Sequence, residues 1–153
     1  MKTFLTLISC FSLLIGISGC RVKASITING KKIKEKDMTK VKVDKNYVQP
    51  VSNAAFSIED WSIQGDVAIV PISYSGGCGA HTFKAFFTGN YMKSLPPKVS
   101  IFIEHQNGGD KCRKLVMDTL YIYLHPVRYE KDKAGSVIIG FNNSEKTVEY
   151  SHN

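Results

Sequence analysis

The sequence has 153 residues, 43% of them hydrophobic and 10% aromatic, which excludes a globally disordered chain and allows one domain with its own core. The formal net charge of +7 favours anionic partners such as lipid headgroups, acidic glycans or nucleic acid. No internal repeat or low-complexity tract divides the chain, so we expect no second folded domain.

The first segment predicts export. Met1 and Lys2 form a small positive region, and residues 4–18 then carry no charge. This apolar run is shorter than the roughly 20 residues that a membrane-spanning helix needs, which argues against an uncleaved anchor. We therefore predict a signal peptide over residues 1–19. Its removal lowers the formal net charge from +7 to +6, because Lys2 leaves with it.

Cys20 follows the apolar run directly, in the tetrapeptide ISGC at 17–20. An aliphatic residue, two small residues and a cysteine resemble the bacterial lipobox, in which the thiol accepts diacylglycerol before cleavage. The alternative is an ordinary signal peptide with an incidental cysteine. We predict that Cys20 is lipidated and that acyl chains such as palmitate hold the mature protein at a membrane without crossing it.

The residues after Cys20 bear on which membrane this is. Arg21, Val22 and Lys23 include no acidic residue. By resemblance to enterobacterial sorting, this argues against retention in the inner membrane. The segment also lacks the acidic cluster associated with surface export in Bacteroidetes-type bacteria. The sequence therefore predicts the outer membrane, with the protein on its inner leaflet facing the periplasm.

Residues 20–45 are predicted to form a lipidated, lysine-rich tether, with an edge strand at 25–29. Between residues 31 and 45, seven lysines stand against three acidic residues. No aromatic residue interleaves there, so nucleic-acid bases have no stacking platform and we expect no nucleic-acid partner. The segment is interpreted as a solvated tether or exposed edge strand. The alternative is electrostatic docking to an anionic membrane.

The rest of the chain, residues 46–153, predicts a single all-β domain. Apolar and polar residues alternate with the period of a strand, and turn residues separate the runs. Seven or eight short strands predict an antiparallel β-sandwich or a small barrel. A bulge is expected near Glu59-Asp60, and only residues 110–118 leave room for a helical turn. The principal predicted strands are 56–63, 68–74, 81–87, 99–105, 119–124, 136–141 and 147–150.

Tyr121 and Tyr123 alternate with apolar residues and are predicted to lie on an outer face of the sheet. Exposed tyrosines there would stack on a sugar or contact a partner protein. The alternative, and the commoner case, is that they cover the outside of the sheet.

Two predicted strands bring four reactive side chains together. If residues 88–98 close an antiparallel hairpin, a register that aligns the apolar faces puts His81 directly opposite His105. Cys78 lies three residues before His81, and Cys112 lies seven residues after His105. Nearby glycines would allow the tight bends that let the cysteines meet; they are Gly76, Gly77, Gly79, Gly108 and Gly109.

The same residues carry a resemblance. The motif YSGGCxxHxF runs from Tyr74 to Phe83, and HxxxxDxC runs from His105 to Cys112 through Asp110. Together they resemble a group of uncharacterised lipoproteins common in Bacteroidetes-type bacteria. The resemblance covers about residues 65–125. It implies a lipid-anchored envelope protein and carries no activity with it.

The favoured hypothesis for the cluster is a structural disulfide between Cys78 and Cys112. Exported proteins meet an oxidising compartment, where paired cysteines usually oxidise. Cys10 would leave with the signal peptide and Cys20 would carry lipid, so two cysteines remain. The histidines would then support the loops.

A metal site is the second hypothesis, with Cys78, His81, His105 and Cys112 as ligands of zinc or, less well, copper. Asp110 would orient one histidine from behind. A thiol enzyme with Cys78 as nucleophile is the third, but the second cysteine would quench the thiol and no other catalytic motif is present.

The sequence therefore predicts a lipid-anchored envelope protein with a non-catalytic binding or structural role and without a cofactor. An envelope protein or a glycan is the expected ligand. The alternative is a periplasmic metal-binding protein that uses the four-residue cluster.

Overall fold

The computed structural model of the chain describes residues 25–28, 30–51, 54–129 and 135–152. The predicted signal peptide and the predicted lipidation site Cys20 lie outside these residues. Among the described residues, no helix is long and apolar enough to cross a membrane.

Strands dominate the described residues, which confirms the all-β prediction. Two short 3-10 helices, Glu35–Asp37 and His125–Val127, accompany them. The strands are β1 (Ser25–Ile28), β2 (Lys31–Lys34), β3 (Thr39–Val43), β4 (Phe56–Ile58), β5 (Ser62–Gln64), β6 (Val67–Gly76), β7 (Thr82–Phe87), β8 (Lys98–Gln106), β9 (Lys114–Tyr123), β10 (Ser136–Phe141) and β11 (Thr147–Ser151).

Nine of these strands form one sheet, in the order β11-β10-β8-β7-β3-β9-β6-β4, with β5 also paired to β6. β1 and β2 form a separate hairpin. The large sheet curls into a half-barrel, in agreement with the predicted small barrel. Three neighbouring pairs are parallel rather than antiparallel: β3–β7, β3–β9 and β8–β10. Parallel neighbours come from distant segments of the chain, and alternation within one strand carries no information about them.

The sequence predicted a tether over residues 20–45, but this segment contains β3, which lies in the middle of the sheet. It pairs with β7 on one side and with β9 on the other. Val41 is 4% exposed, whereas Lys40 and Lys42 beside it are exposed. A strand needs only one apolar face, so the alternate lysines stay in water while Val41 fills the core. The folded part of the chain therefore begins before residue 46, and the predicted domain boundary is corrected accordingly.

An extra residue between β4 and β5 forms the bulge predicted near Glu59-Asp60. Both strands pair with β6, and the step from Ile58 to Ser62 is one residue longer than the matching step on β6. The extra residue reverses the alternation, so Phe56 and Trp61 both reach the main core inside the half-barrel. Trp61 is fully buried there.

A second, smaller core lies on the outer face of β6 and β9, under the β1–β2 hairpin. Ile28 and Ile33 of the hairpin are buried there together with Val67. Tyr121 and Tyr123 pack against this cluster. The two tyrosines therefore cover the outside of the sheet, which agrees with the second of the two interpretations.

The helical turn that the sequence allowed over residues 110–118 is wrong, because residues 110–113 are irregular and β9 begins at Lys114. β9 pairs with β6 along ten residue positions, from Lys114 opposite Gly76 to Tyr123 opposite Val67. Pairing of this length decides the conformation of a segment whose local pattern is ambiguous.

A polar network joins the two ends of the half-barrel. Arg128 donates hydrogen bonds from Nε to Tyr150 Oη at 2.9 Å and from Nη2 to Asp66 Oδ1 at 2.7 Å. The hydroxyl of Tyr150, on β11, donates to Asp66 Oδ1 at 2.6 Å, in the turn before β6. Burial and the hydrogen bond to Asp66 raise the pKa of Tyr150 to about 12, so its proton stays in place as a donor. Burial raises the pKa of Asp66, but the hydrogen bonds from Tyr150 and Arg128 outweigh it and leave that pKa below its ordinary value.

Replacing Tyr150 with phenylalanine tests how much this network contributes to stability. The variant keeps the buried ring and removes a hydroxyl that serves as both donor and acceptor, so we expect the free energy of unfolding to fall by about 1–3 kcal/mol. Denaturant or thermal unfolding measures the loss. Tyr121→Phe is the matched control and should change stability by less than about 0.5 kcal/mol. Equal losses in both variants would contradict the role given to the network.

Candidate functional site

The β7–β8 hairpin carries the two histidines of the predicted cluster. In the observed register Phe83, and not His81, lies opposite His105, so the predicted pairing was wrong by two residues. A shift of two residues keeps every side chain on its face of the sheet, and the apolar pattern therefore did not distinguish the two registers. The rings of Phe83 and His105 stack, with centroids 4.3 Å apart and planes 9° apart.

Cys78 and Cys112 form a disulfide, as predicted, with their Cα atoms 5.9 Å apart. The bond links the loop after β6 to the loop before β9. Closing a loop of this length in the unfolded chain stabilises the fold by about 4 kcal/mol in the chain-entropy model. Since both sulfur atoms are in this bond, neither is available as a thiolate.

Asp110 is the centre of the cluster, and its carboxylate accepts four hydrogen bonds. Oδ2 accepts from the backbone N–H groups of Cys78 at 2.9 Å and Gly79 at 2.8 Å, and contacts His81 Nε2 at 3.1 Å. Oδ1 accepts from the backbone N–H of Cys112 at 2.8 Å. The N–H groups of Cys112 and Cys78, followed by the contact with His81, hold the pKa of Asp110 far below its ordinary value.

The two histidines extend this network into the core. His81 Nδ1 lies 2.8 Å from His105 Nε2, and His105 Nδ1 lies 3.3 Å from the carbonyl oxygen of Ala54. This series of contacts ends on an acceptor at each side, the carboxylate of Asp110 and the carbonyl of Ala54. Its three contacts therefore need three ring protons. Two neutral imidazoles supply only two, so all three contacts are hydrogen bonds only when one of the two rings carries both of its protons. Burial lowers the pKa of His105, because it disfavours the charged form of the ring.

The two histidines and Asp110 are closed to solvent, whereas Cys78 is exposed. The side chains of His81 and Asp110 are 4% and 1% exposed. His105 is 1% exposed as a whole residue. The ring of His81 lies against β6 at Gly76, where an added Cβ would come within 2.4 Å of Nε2. Glycine is therefore required at this position, and the arrangement holds two loops together.

The disulfide bears on the two competing hypotheses. The sulfur atoms of Cys78 and Cys112 and a carboxylate oxygen of Asp110 lie within 4.8 Å of one another. A disulfide sulfur is a poor metal ligand, and the histidine nitrogens already bind Asp110 and each other. The metal alternative is not supported. The thiol-nucleophile hypothesis needs a free thiolate, which Cys78 does not supply.

Sequence reasoning found the four residues of the cluster and named Asp110 only in the metal hypothesis, as a group that would orient a histidine. Asp110 does contact His81, without a metal hypothesis to support that role. It did not find the network of Asp66, Arg128 and Tyr150, whose members lie 62 and 84 positions apart. Two signals in the sequence were available. Tyr150 alternates into the core on β11, and Asp66 is an acidic residue in a turn.

Comparison with known proteins gives similarity in fold alone. No family model matches the sequence, and no curated protein matches it. A NigD-like immunity protein from Bacteroides caccae has a similar structure, with a TM-score of 0.55 at 9% identity over 82% of this chain and 67% of that one. A toxin-related protein from Parabacteroides distasonis gives a TM-score of 0.46 at 12% identity over 78% of this chain and 61% of that one. The first likeness shows that the half-barrel fold occurs in another protein.

Asp110→Asn tests the electrostatics of the cluster. Because the pKa of Asp110 is lowered in the folded protein, its charge stabilises the fold above the ordinary aspartate pKa of about 4, and that stability is lost as the pH falls below this value. We expect the variant to unfold at a lower temperature than the parent at neutral pH. The gap between the two should narrow in acid.

Thermal unfolding followed by circular dichroism across this pH range provides the measurement. Asp37→Asn, at an exposed position in the first 3-10 helix, is the control and should follow the parent at every pH. A constant gap between Asp110→Asn and the parent down to low pH would contradict the assignment.

Proposed function

We propose that this chain is an exported, lipid-anchored envelope protein that acts by binding another protein and not by catalysis. One observation carries the proposal: the cysteines, histidines and aspartate of the predicted site are committed to structural contacts. His81 and Asp110 are 4% and 1% exposed, and Cys78 and Cys112 are oxidised. A substrate has no access to the imidazoles or the carboxylate, and Cys78, although exposed, has no free thiol.

The lipid anchor rests on the sequence. An uncharged segment ends in the lipobox-like ISGC at 17–20, and the first described strand begins at Ser25. The lipid then lies close to the domain, which stays outside the bilayer. We place the anchor in the inner leaflet of the outer membrane, with the domain facing the periplasm.

A protein is a better candidate partner than a glycan. Tyr121 and Tyr123, the tyrosines that would have stacked on sugars, are partly buried against the second core under the β1–β2 hairpin. By contrast, Leu115 and Met117 are 68% and 75% exposed, two positions apart on the outer face of β9. Neighbouring exposed apolar side chains are typical of protein contact surfaces. The similar Bacteroides structure is called an immunity protein. At 9% identity the likeness shows the fold and not the role, so the proposal is limited to protein binding.

Labelling of cells with radioactive palmitate tests the anchor. The parent should incorporate label and fractionate with the outer membrane, and Cys20→Ser should lose both the label and the processing of residues 1–19. Cys10→Ser, inside the predicted signal peptide, is the matched control and should label normally. Protease added to intact cells should leave the protein whole. Labelling of Cys20→Ser would contradict lipidation, and digestion in intact cells would contradict the periplasmic orientation.

Site-specific photo-crosslinking tests the binding role. A photoreactive residue at position 117 of the full-length protein should give one discrete adduct with another envelope protein, since Met117 is exposed beside Leu115. The same residue at position 92, where Met92 is 53% exposed in a loop, is the matched control and should give none. Denaturing electrophoresis detects the adduct. Absence of any adduct from position 117 would contradict protein binding through β9.

A further inference from the structure

The β1–β2 hairpin presents lysines on the face turned away from the protein. In its register Ile26 lies opposite Ile33, and these side chains point towards the second core. Directly opposed residues share a face, so Lys32 and Lys34, which alternate with Ile33, lie on the other side. Both are exposed, as is Lys36 in the 3-10 helix that follows. We call these three residues the hairpin lysines.

The hairpin lysines lie close to the predicted lipid. Four residues separate Cys20 from Ser25, and five Cα–Cα steps reach at most about 17 Å. Ser25 pairs with Lys34, so the end of β1 nearest the anchor lies beside a lysine. The short connection keeps the hairpin at the surface that holds the lipid.

Charge around the hairpin is predominantly positive. Residues 31–42 include six lysines and two acidic residues. One of the acids, Glu35, is paired with Lys40 at 2.7 Å, which leaves the hairpin lysines outside that ion pair. Arg21 and Lys23 of the connection add two more positive charges.

The hairpin is also a firm support. Ile33 is 4% exposed and is buried with Val67 of β6 in the second core. The lysine backbone positions are thus fixed before any contact forms, and less conformational entropy is lost on binding than in a flexible basic tail.

We propose that the hairpin lysines dock on anionic phospholipid headgroups of the leaflet that holds the anchor, an inference that rests on the proposed lipidation of Cys20. Basic residues are attracted to an anionic leaflet, and the attraction fades over a Debye length of about 8 Å at physiological ionic strength. Docking fixes the orientation of the half-barrel, with β1–β2 towards the membrane.

Vesicle binding tests the docking without the lipid. The mature chain from residue 20 with Cys20→Ser is mixed with vesicles of phosphatidylglycerol and phosphatidylcholine, or of phosphatidylcholine alone, and sedimented. Binding is expected to the anionic vesicles only and should weaken as salt is added. Since each surface lysine contributes about 1 kcal/mol, replacing Lys32, Lys34 and Lys36 with glutamine should weaken binding by about 100-fold.

The matched control removes the same charge elsewhere. Lys93, Lys111 and Lys114 are exposed and lie on other loops and on β9, and their replacement with glutamine should leave vesicle binding nearly unchanged. Circular dichroism checks that both triple variants are folded. Equal weakening by the two triple variants, equal binding to neutral vesicles, or no binding at all would overturn the proposal. Because the protein in this assay carries no lipid, a failure of lipidation in cells would be seen separately by palmitate labelling.

Discussion

A buried carboxylate needs hydrogen-bond donors, and this requirement organises one end of the molecule. Asp110 obtains backbone donors from both loops that the disulfide joins, at Cys78, Gly79 and Cys112. An ionised group in the interior is costly unless it is fully hydrogen-bonded, so the two loops are held in one geometry. The position of His81, and through it the need for Gly76, follows from the same carboxylate.

The two polar networks lie at opposite ends of β6. Asp66 precedes this strand and joins Arg128 and Tyr150, while Gly76 ends it beside His81 and the disulfide. A ten-residue strand is about 33 Å long, so the two networks act independently on the half-barrel. Between them the sheet is held by apolar packing, with Trp61 and the core-facing residues of β6 fully buried.

The sequence was sufficient for features that depend on local pattern. The alternation of apolar residues predicted the all-β fold, and the reversal of alternation before Trp61 predicted the bulge. The grouping of Cys78, His81, His105, Asp110 and Cys112 followed from two adjacent strands with glycine-rich loops. Each of these signals lies within a few residues of its consequence.

Long-range pairing was beyond the sequence for physical reasons. A register shift of two preserves all faces, so the opposition of His105 and Phe83 leaves no trace in the pattern. The lysines around Val41 made a central strand hard to recognise, because a five-residue strand with only one buried residue resembles a solvated segment. The contacts of Arg128 with Asp66 and Tyr150 depend on how the sheet curls, which no local window contains.

The central position of β3 has a consequence for the order in which the chain folds. Thr39 pairs with Ile122, 83 positions further along (39 to 122). A chain that crosses a membrane from its amino end delivers β3 early and β9 late. β3 therefore lacks β9 as a neighbour until most of the sequence has emerged. Contacts of such long range slow folding. Along the proposed export route, the half-barrel therefore closes only after β9 has crossed the membrane.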